Sequence, residues 1–152
     1  MNSMFEDCNS LKSLDVSSFN TANVTDMGYM FAYCSSLTEL DVSGFDAPNV
    51  TGIGCMFLDC DALVKITTNH ELLEKTAYQL LYINDKWTNL ADGTVYDSEK
   101  AMQAIPGKVT LVTENYTAFL KGDVNNDGVV TDADAVYLLY YTFFGEESYP
   151  LH

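Results

Sequence analysis

The sequence predicts an α/β repeat fold, in which a short solenoid of stacked coils is followed by a carboxy-terminal cap and a small α-helical appendage with a calcium loop. One phrase recurs every 26 residues, so that Met4, Met30 and Met56 are equivalent. This period ends after Thr68, and a loop rich in aspartate and asparagine begins at Asp123. We therefore divide the chain into three parts: residues 1–68, 69–121 and 122–152.

The repeat has the spacing Leu-x-x-Leu-x-Val, as in Leu11, Leu14 and Val16. A period in the twenties with this spacing is typical of leucine-rich repeats, where each coil supplies one short strand and one return segment. A coil of this size cannot bury its apolar edge alone, so successive coils have to stack. Short parallel strands are expected at residues 13–16, 39–42 and 65–67.

Three of the four cysteines, Cys8, Cys34 and Cys60, occupy the same place in successive coils. Stacking of the coils predicts that they form a buried column of small, soft side chains. Adjacent members could approach the distance of a disulfide, but three equivalent residues cannot all pair, and Cys55 has no equivalent cysteine. The pattern therefore favours free, buried thiols over a structural disulfide.

Residues 69–121 are expected to cover the apolar end that the last coil exposes. The predicted elements are a helix over residues 69–84, a hairpin over 87–96 with a turn at Asp92-Gly93, a short helix from Ser98 to Gln103 and a strand over 108–113. Trp87 fits the core of this segment better than it fits a ligand platform, because a lone tryptophan beside a hairpin is usually buried.

The loop that begins at Asp123 has the spacing of a calcium site. Oxygen ligands recur at loop positions 1, 3, 5, 7, 9 and 12, with Gly128 at position 6 for the sharp turn. The predicted ligands are Asp123, Asn125, Asp127, the carbonyl of Val129, Thr131 through a water molecule, and Asp134. All are hard oxygen donors and three are carboxylates, which favours one Ca²⁺ ion over softer metals. The alternative is a polar Asn-Asp-Gly turn without an ion.

Composition excludes several classes of partner. The chain carries 22 acidic residues against seven basic ones, for a net charge of −15. Nucleic acids, phosphate-rich ligands and anionic membranes each need a basic face, so they are not expected as partners. No run of about 18 apolar residues predicts a membrane span. His70 and His152 are the two histidines, which leaves cysteine or serine catalysis without a well-placed base.

The sequence of the repeats resembles the BspA-like repeats of bacterial surface proteins and lipoproteins over residues 4–68. The motifs that carry the resemblance are Leu37-x-x-Leu40-Asp41-Val42-Ser43-x-Phe45, Asn49-Val50-Thr51 and Met56-Phe57-x-x-Cys60. The resemblance implies surface display and the binding of a protein, a glycan or a host molecule. Trp87, Gly93 with Tyr96, and Ile105-Pro106 resemble the segment that closes such arrays. Because the chain enters a repeat at once, without a polar outer cap or a signal peptide, we expect that earlier repeats precede this fragment.

Residues 122–150 resemble the first calcium repeat of a dockerin, the module that binds cohesins on cellulosome scaffolds. Asp134 replaces the glutamate of a standard EF-hand at position 12, and no helix-forming run precedes the loop. The resemblance implies calcium-dependent attachment to a cohesin-like scaffold protein. A complete dockerin has two such repeats, and this chain has one. The positions that recognise the partner in that family correspond here to Asp132, Ala133, Tyr137 and Tyr140.

Together these features predict a non-catalytic, secreted or cell-surface binding protein. One alternative is a component of a carbohydrate-active enzyme, because Asp15 and Asp41 are repeat-equivalent and would lie about 5 Å apart, near the separation of retaining glycosidase carboxylates. Such a pair on a smooth, solvated ladder lacks a cleft and a means of raising one pKa. The other alternative is a structural spacer in which the calcium loop serves stability alone.

Overall fold

The computed structural model describes residues 1–114 and 116. The chain divides into two units between Thr113 and Glu114, and the fold described below is that of the first unit. Within it the predicted repeats and most of the predicted cap share one hydrophobic core.

The described elements form one five-stranded mixed sheet and two helices. In chain order they are β1 (Glu39–Asp41), β2 (Lys65–Asn69), α1 (His70–Ile83), β3 (Trp87–Asn89), β4 (Val95–Tyr96), α2 (Glu99–Gln103) and β5 (Lys108–Val112). The sheet order is β1-β2-β5-β3-β4. β1 and β2 pair in parallel, with Leu40 opposite Ile66. The other three pairs, β2 with β5, β5 with β3 and β3 with β4, are antiparallel. The sheet therefore changes strand direction where the repeats meet the cap.

The 26-residue period is visible in the hydrogen bonds between successive repeats. The Phe5 N–H donates to the Met30 carbonyl, and the Phe31 N–H donates to the Met56 carbonyl, both over 2.9 Å. The same relation links later residues of the turn, since the Tyr33 N–H donates to the carbonyl of Leu58 over 2.7 Å. Neighbouring repeats thus run side by side in register. The assignment to the leucine-rich repeat class stays a prediction.

Aromatic rings extend this register into the core. The rings of Phe5, Phe31 and Phe57 form a phenylalanine column with centroid separations of 5.6 and 5.9 Å and interplanar angles of 5° and 4°. Phe19 and Phe45 stack in a parallel row at 6.4 Å. Equivalent residues of successive repeats therefore contact each other in the core.

The equivalent cysteines make equivalent contacts. The Cys34 thiol donates to the Phe5 carbonyl over 3.2 Å, and the Cys60 thiol donates to the Phe31 carbonyl over 3.0 Å. All four cysteines are free thiols. Burial, followed by the neighbouring Cys34, raises the pKa of the Cys60 thiol to about 12. Cys34 and Cys60 are thus inert, buried side chains in the described fold.

Each repeat contains two residues with left-handed backbone geometry, at the ends of the Met-Phe turn. They are Ser3, Tyr29 and Cys55, each with φ of 55°, and Asp7, Tyr33 and Asp59, with φ between 54° and 62°. None is glycine, so each turn stores strain of about 1 kcal/mol per residue. The recurrence at 26-residue intervals shows that this strain belongs to the geometry of the repeat.

α1 confirms the helix predicted over residues 69–84. It begins because the Asn69 side chain accepts a hydrogen bond from the Leu72 N–H over 2.9 Å, which satisfies one free donor of the first turn. Its apolar face, which includes Leu72, Leu73 and Leu80, is fully buried. Trp87 follows the helix and is also fully buried, and its indole N–H donates to the Leu80 carbonyl over 2.8 Å. Trp87 is therefore a core residue, as expected, and not a ligand platform.

α1 also covers the backbone that the second repeat and the start of the third would otherwise leave unpaired. The side chains that do so are Asn69, Glu71, Lys75 and Gln79, and each bonds a backbone group 22 to 26 residues earlier. Gln79 shows the principle, because its amide donates to the Ile53 carbonyl over 2.8 Å and accepts from the Phe57 N–H over 3.2 Å. The helix thus supplies hydrogen-bond partners to backbone groups of the preceding repeats.

The strand predicted at residues 13–16 is wrong, since this segment has no regular secondary structure. The residues just before this segment and just before β1 are joined by a hydrogen bond from the Thr38 N–H to the Lys12 carbonyl, a long contact of 3.3 Å. Beyond that contact the two segments separate, and a cavity opens between them. Leu14 has the correct alternation for a strand, but a single weak backbone contact does not make a ladder.

Candidate functional site: two faces of the repeats

The first candidate surface is the strand face, formed by the outward side chains of residues 13–15, β1 and β2. It surrounds a cavity of about 370 Å³ that is lined by Ser13, Leu14, Asp15, Glu39, Leu40, Asp41, Lys65 and Thr67. The charges are paired across the sheet: the Lys65 ammonium lies 2.8 Å from the Glu39 carboxylate, and that of Lys108 lies 3.7 Å from the Asp41 carboxylate. Exposed pairs of this kind stabilise the fold weakly.

The two equivalent aspartates of this face have a structural role. The Asp15 carboxylate accepts from the Ser17 N–H over 2.9 Å, and the Asp41 carboxylate accepts from the N–H and the hydroxyl of Ser43 over 2.9 and 2.6 Å. The hydrogen bonds from Ser17 lower the pKa of Asp15. Partial burial alone would raise the pKa of Asp41, but the bonds from Ser43 and the charge of Lys108 outweigh it, and the pKa is lowered. Both groups are therefore ionised near neutral pH and hold a turn after the strand position.

The second candidate surface lies at the Met-Phe turns of the repeats and continues onto α1. We define the tyrosine surface by Tyr29, Tyr33, Tyr78 and Tyr82, whose exposed fractions are 40%, 36%, 49% and 82%. Tyr82 is the most exposed of the four, whereas Tyr29, Tyr33 and Tyr78 each bury somewhat more than half of their area. Sequence reasoning missed this surface, because repeat comparison draws attention to residues that recur, and these tyrosines do not.

The side chains between the repeats and the helix make this surface continuous. Tyr29 interacts with the Cys55 thiol, and this hydrogen bond is the main reason that the pKa of Tyr29 is raised. Cys55 in turn lines a cavity of about 200 Å³ together with Phe57, Leu58, Tyr78, Gln79 and Tyr82. The Gln79 amide that holds the Ile53 carbonyl also donates to the Tyr78 hydroxyl over 3.2 Å. The groups that fix the cap thus also position Tyr78 beside the cavity.

A third cavity, of about 510 Å³, lies within the cap. It is lined by residues of the β3–β4 hairpin and of the loop before β5, among them Asn89, Asp92, Tyr96 and Lys108. Its amide and carboxylate oxygens already accept bonds from nearby backbone, since Asn89 accepts from the Ala91 N–H and Asp92 from the Thr94 N–H. These hydrogen bonds stabilise the turn between β3 and β4.

The predicted calcium ligands and partner-binding residues lie outside the described residues. They are Asp123, Asn125, Asp127, Val129, Thr131 and Asp134 for the ion, and Asp132, Ala133, Tyr137 and Tyr140 for the partner. Across residues 1–114 and 116, no group of three or more histidine, cysteine, aspartate or glutamate side chains could hold a metal ion. In the same part of the chain, no helix is long and apolar enough to cross a membrane.

Residues 1–89 match the family described as "Mycoplasma protein of unknown function, DUF285". The match covers more than half of the 152 residues and includes the repeats, α1 and β3. It supports the surface-protein part of the BspA-like resemblance. No curated protein and no solved structure matches the chain.

Proposed function

The chain belongs to the family described as "Mycoplasma protein of unknown function, DUF285", and on that premise we propose that it is a non-catalytic, surface-associated protein that binds its ligand through the tyrosine surface. One observation carries the proposal: the exposed tyrosines of one Met-Phe turn and of α1 are linked through Cys55, which interacts with Tyr29 and lines a cavity together with Tyr78 and Tyr82. Tyrosine is enriched at protein interfaces, since it offers a large contact area and a hydroxyl at a low cost in conformational entropy.

The chemistry of the strand face supports a binding role over catalysis. A retaining glycosidase needs one carboxyl group whose pKa is raised, so that it can donate a proton near neutral pH. In this face the pKa values of Asp15 and Asp41 are lowered, and both carboxylates already accept hydrogen bonds from the turn that follows them. Asp15 and Asp41 therefore fit a structural role in the turns better than the role of a catalytic dyad.

Arrays of immobilised proteins and glycans test the binding surface directly. We expect the full chain to be retained on a subset of these probes, and the variant Tyr33→Gly/Tyr82→Ala to lose at least tenfold of that signal. The matched control is Asp15→Asn/Glu39→Gln on the strand face, which should retain binding within twofold. Equal retention of the wild type and the tyrosine variant would show that the ligand uses another surface.

We also propose that the repeats form a solenoid of the leucine-rich repeat type. The support is the regular bonding of equivalent backbone groups, such as Phe5 to Met30 and Phe31 to Met56. In such a stack each added coil extends the molecule by about 4.8 Å. Insertion of three further copies of residues 30–55 should lengthen the particle by about 14 Å in small-angle X-ray scattering. A larger cross-section of the particle with an unchanged length would contradict the stacked arrangement.

A second candidate function rests on the loop from Asp123 to Asp134. The spacing of its oxygen donors supports the binding of one Ca²⁺ ion, and the dockerin resemblance supports calcium-dependent attachment to a cohesin-like scaffold protein. Three carboxylates in a short loop would repel one another without a cation, so ion binding and folding of the loop are expected to be coupled.

Calorimetry with calcium tests this second proposal. The wild-type chain should show one binding site, and Asp123→Ala should weaken it by at least tenfold. Asp92→Ala is the matched control, because it removes one carboxylate from the hairpin of the cap and should leave the heat of binding unchanged. Absence of any heat at millimolar calcium would refute the ion site. Cohesin binding that persists in chelator would refute calcium-dependent attachment alone.

A further inference from the structure

We propose that the tyrosine surface docks an arginine- and lysine-rich segment of a partner protein. This inference deepens the proposed function and rests on it, since it names the chemistry of the ligand that the same surface would take. It is carried by three features: the exposed aromatic faces, the carboxylates at their edge and the shape of the cavity beside α1.

Carboxylates flank the tyrosines because equivalent positions of the turns lie side by side. Tyr33 lies between its repeat equivalents Asp7 and Asp59, and hydrogen bonds join the three turns, from the Asp7 N–H to Ala32 and from the Tyr33 N–H to Leu58. Asp7, Tyr33 and Asp59 are all exposed. Glu6 adds a third carboxylate near Tyr29, whose pKa is raised chiefly by the hydrogen bond with Cys55 and in small part by the charge of Glu6.

Aromatic faces bordered by carboxylates suit a cationic side chain. A guanidinium or ammonium group can lie over a tyrosine ring and pair with a neighbouring carboxylate at the same time, and arginine does both through its planar face and its fork of donors. None of the six described residues that line the adjacent cavity is basic. A cation arriving at this surface therefore meets no like charge from the cavity wall.

The cavity favours a side chain over a free small molecule. Its volume of about 200 Å³ lies below the 300–1,000 Å³ that is typical of small-ligand pockets. Its wall includes Phe57 and Leu58, which offer apolar contact, and its mouth includes the highly exposed Tyr82. The alkyl stem of an arginine or lysine can lie against such a wall while its charged end stays near the phenol rings and water.

The net charge of the whole chain also favours a basic partner. A net charge of −15 attracts basic partners and repels acidic ones, which raises the association rate of the former. This long-range attraction is not specific to one face, so a test has to separate it from the contribution of the tyrosines.

Fluorescence anisotropy with defined peptides provides that test. The probes are a labelled octapeptide of alternating arginine and glycine and its glutamate counterpart, at 150 mM salt, where surface charges act over about 8 Å. We expect the arginine peptide to bind the full chain and the glutamate peptide not to bind. Tyr33→Gly/Tyr82→Ala should weaken binding at least tenfold with no change in net charge. Because Tyr82 is 82% exposed, Tyr82→Ala alone serves as a variant that folds like the wild type and should weaken binding at least threefold.

Two pairs of charge substitutions separate local from general attraction. Glu6→Gln/Asp59→Asn should weaken binding of the arginine peptide at least fivefold. Asp92→Asn/Asp97→Asn removes the same charge near the cap hairpin and should change the affinity for that peptide less than twofold. Equal effects of the two pairs, or unchanged affinity in the tyrosine variants, would overturn the inference. If the arginine peptide fails while tyrosine-dependent retention on the arrays persists, the basic partner is wrong and the binding surface stands.

Discussion

Replacement of Phe31 tests whether the register between repeats is the main source of stability. Phe31 is fully buried and lies at the centre of the phenylalanine column, with ring centroids 5.6 Å from Phe5 and 5.9 Å from Phe57. Truncation of a buried phenylalanine to alanine costs about 4 kcal/mol through lost burial and the cavity left behind. Phe31→Leu keeps most of the apolar area but removes two ring pairs of roughly 1 kcal/mol each, so it should cost about 2 kcal/mol.

Urea unfolding followed by tryptophan fluorescence measures these losses of stability, because Trp87 is the single tryptophan and is buried in the same core. Phe5→Ala is the matched control: Phe5 is half-buried at the edge of the column, so its truncation should cost about 2 kcal/mol. The reasoning is refuted if Phe5→Ala costs as much as Phe31→Ala, or if Phe31→Leu is neutral. Either result would mean that the coils are stabilised within themselves and that stacking contributes little.

Three further predictions follow from the turns, the thiols and the carboxylates. At Tyr33, where φ is 62°, glycine should be more stable than alanine by about 1 kcal/mol in urea unfolding; a more stable alanine would refute strain at the turn. In native protein Ellman's reagent should react promptly with Cys55 and roughly a thousandfold more slowly with Cys60, whose raised pKa removes the thiolate; equal rates would argue against the buried column. The pKa of Asp41 is lowered in the fold, so its ionised form stabilises the protein above its ordinary pKa of 3.8, and that stabilisation is lost as the pH falls. Asp41→Asn should therefore make the melting temperature less sensitive to acid. An unchanged acid dependence would contradict the role of the Ser43 bonds.

Elements in which local signals agree could be predicted from the sequence. Asn69 and the leucines of α1 combine a capping side chain with helical spacing, and the helix runs from His70 to Ile83, one residue inside each predicted end. The parallel pairing of residues 39–41 with 65–67 follows from the 26-residue period alone, since equivalent residues must be neighbours in a stack.

Features that depend on the geometry between segments could not be predicted in this way. Residues 13–16 have the pattern of a strand, yet the ladder there reduces to one long hydrogen bond, and no local propensity reports that. The tyrosine surface was missed for a related reason. Tyr29 and Tyr82 belong to different segments, and their connection through Cys55 and the cavity depends on where the helix packs.

The bonding of α1 to the repeats bears on how proteins of this kind could change length during evolution. The helix holds the carbonyl of Ile53 and the N–H of Phe57 through Gln79, and those of other residues through Asn69, Glu71 and Lys75. These are main-chain groups, which every copy of the repeat presents whatever its side chains are. A gene duplication of 26 codons therefore adds a further set of exposed side chains without requiring a matching change in the helix. Selection can then act on the variable outer positions of each copy, such as Tyr29 and Tyr33, while the terminus of the array is inherited unaltered.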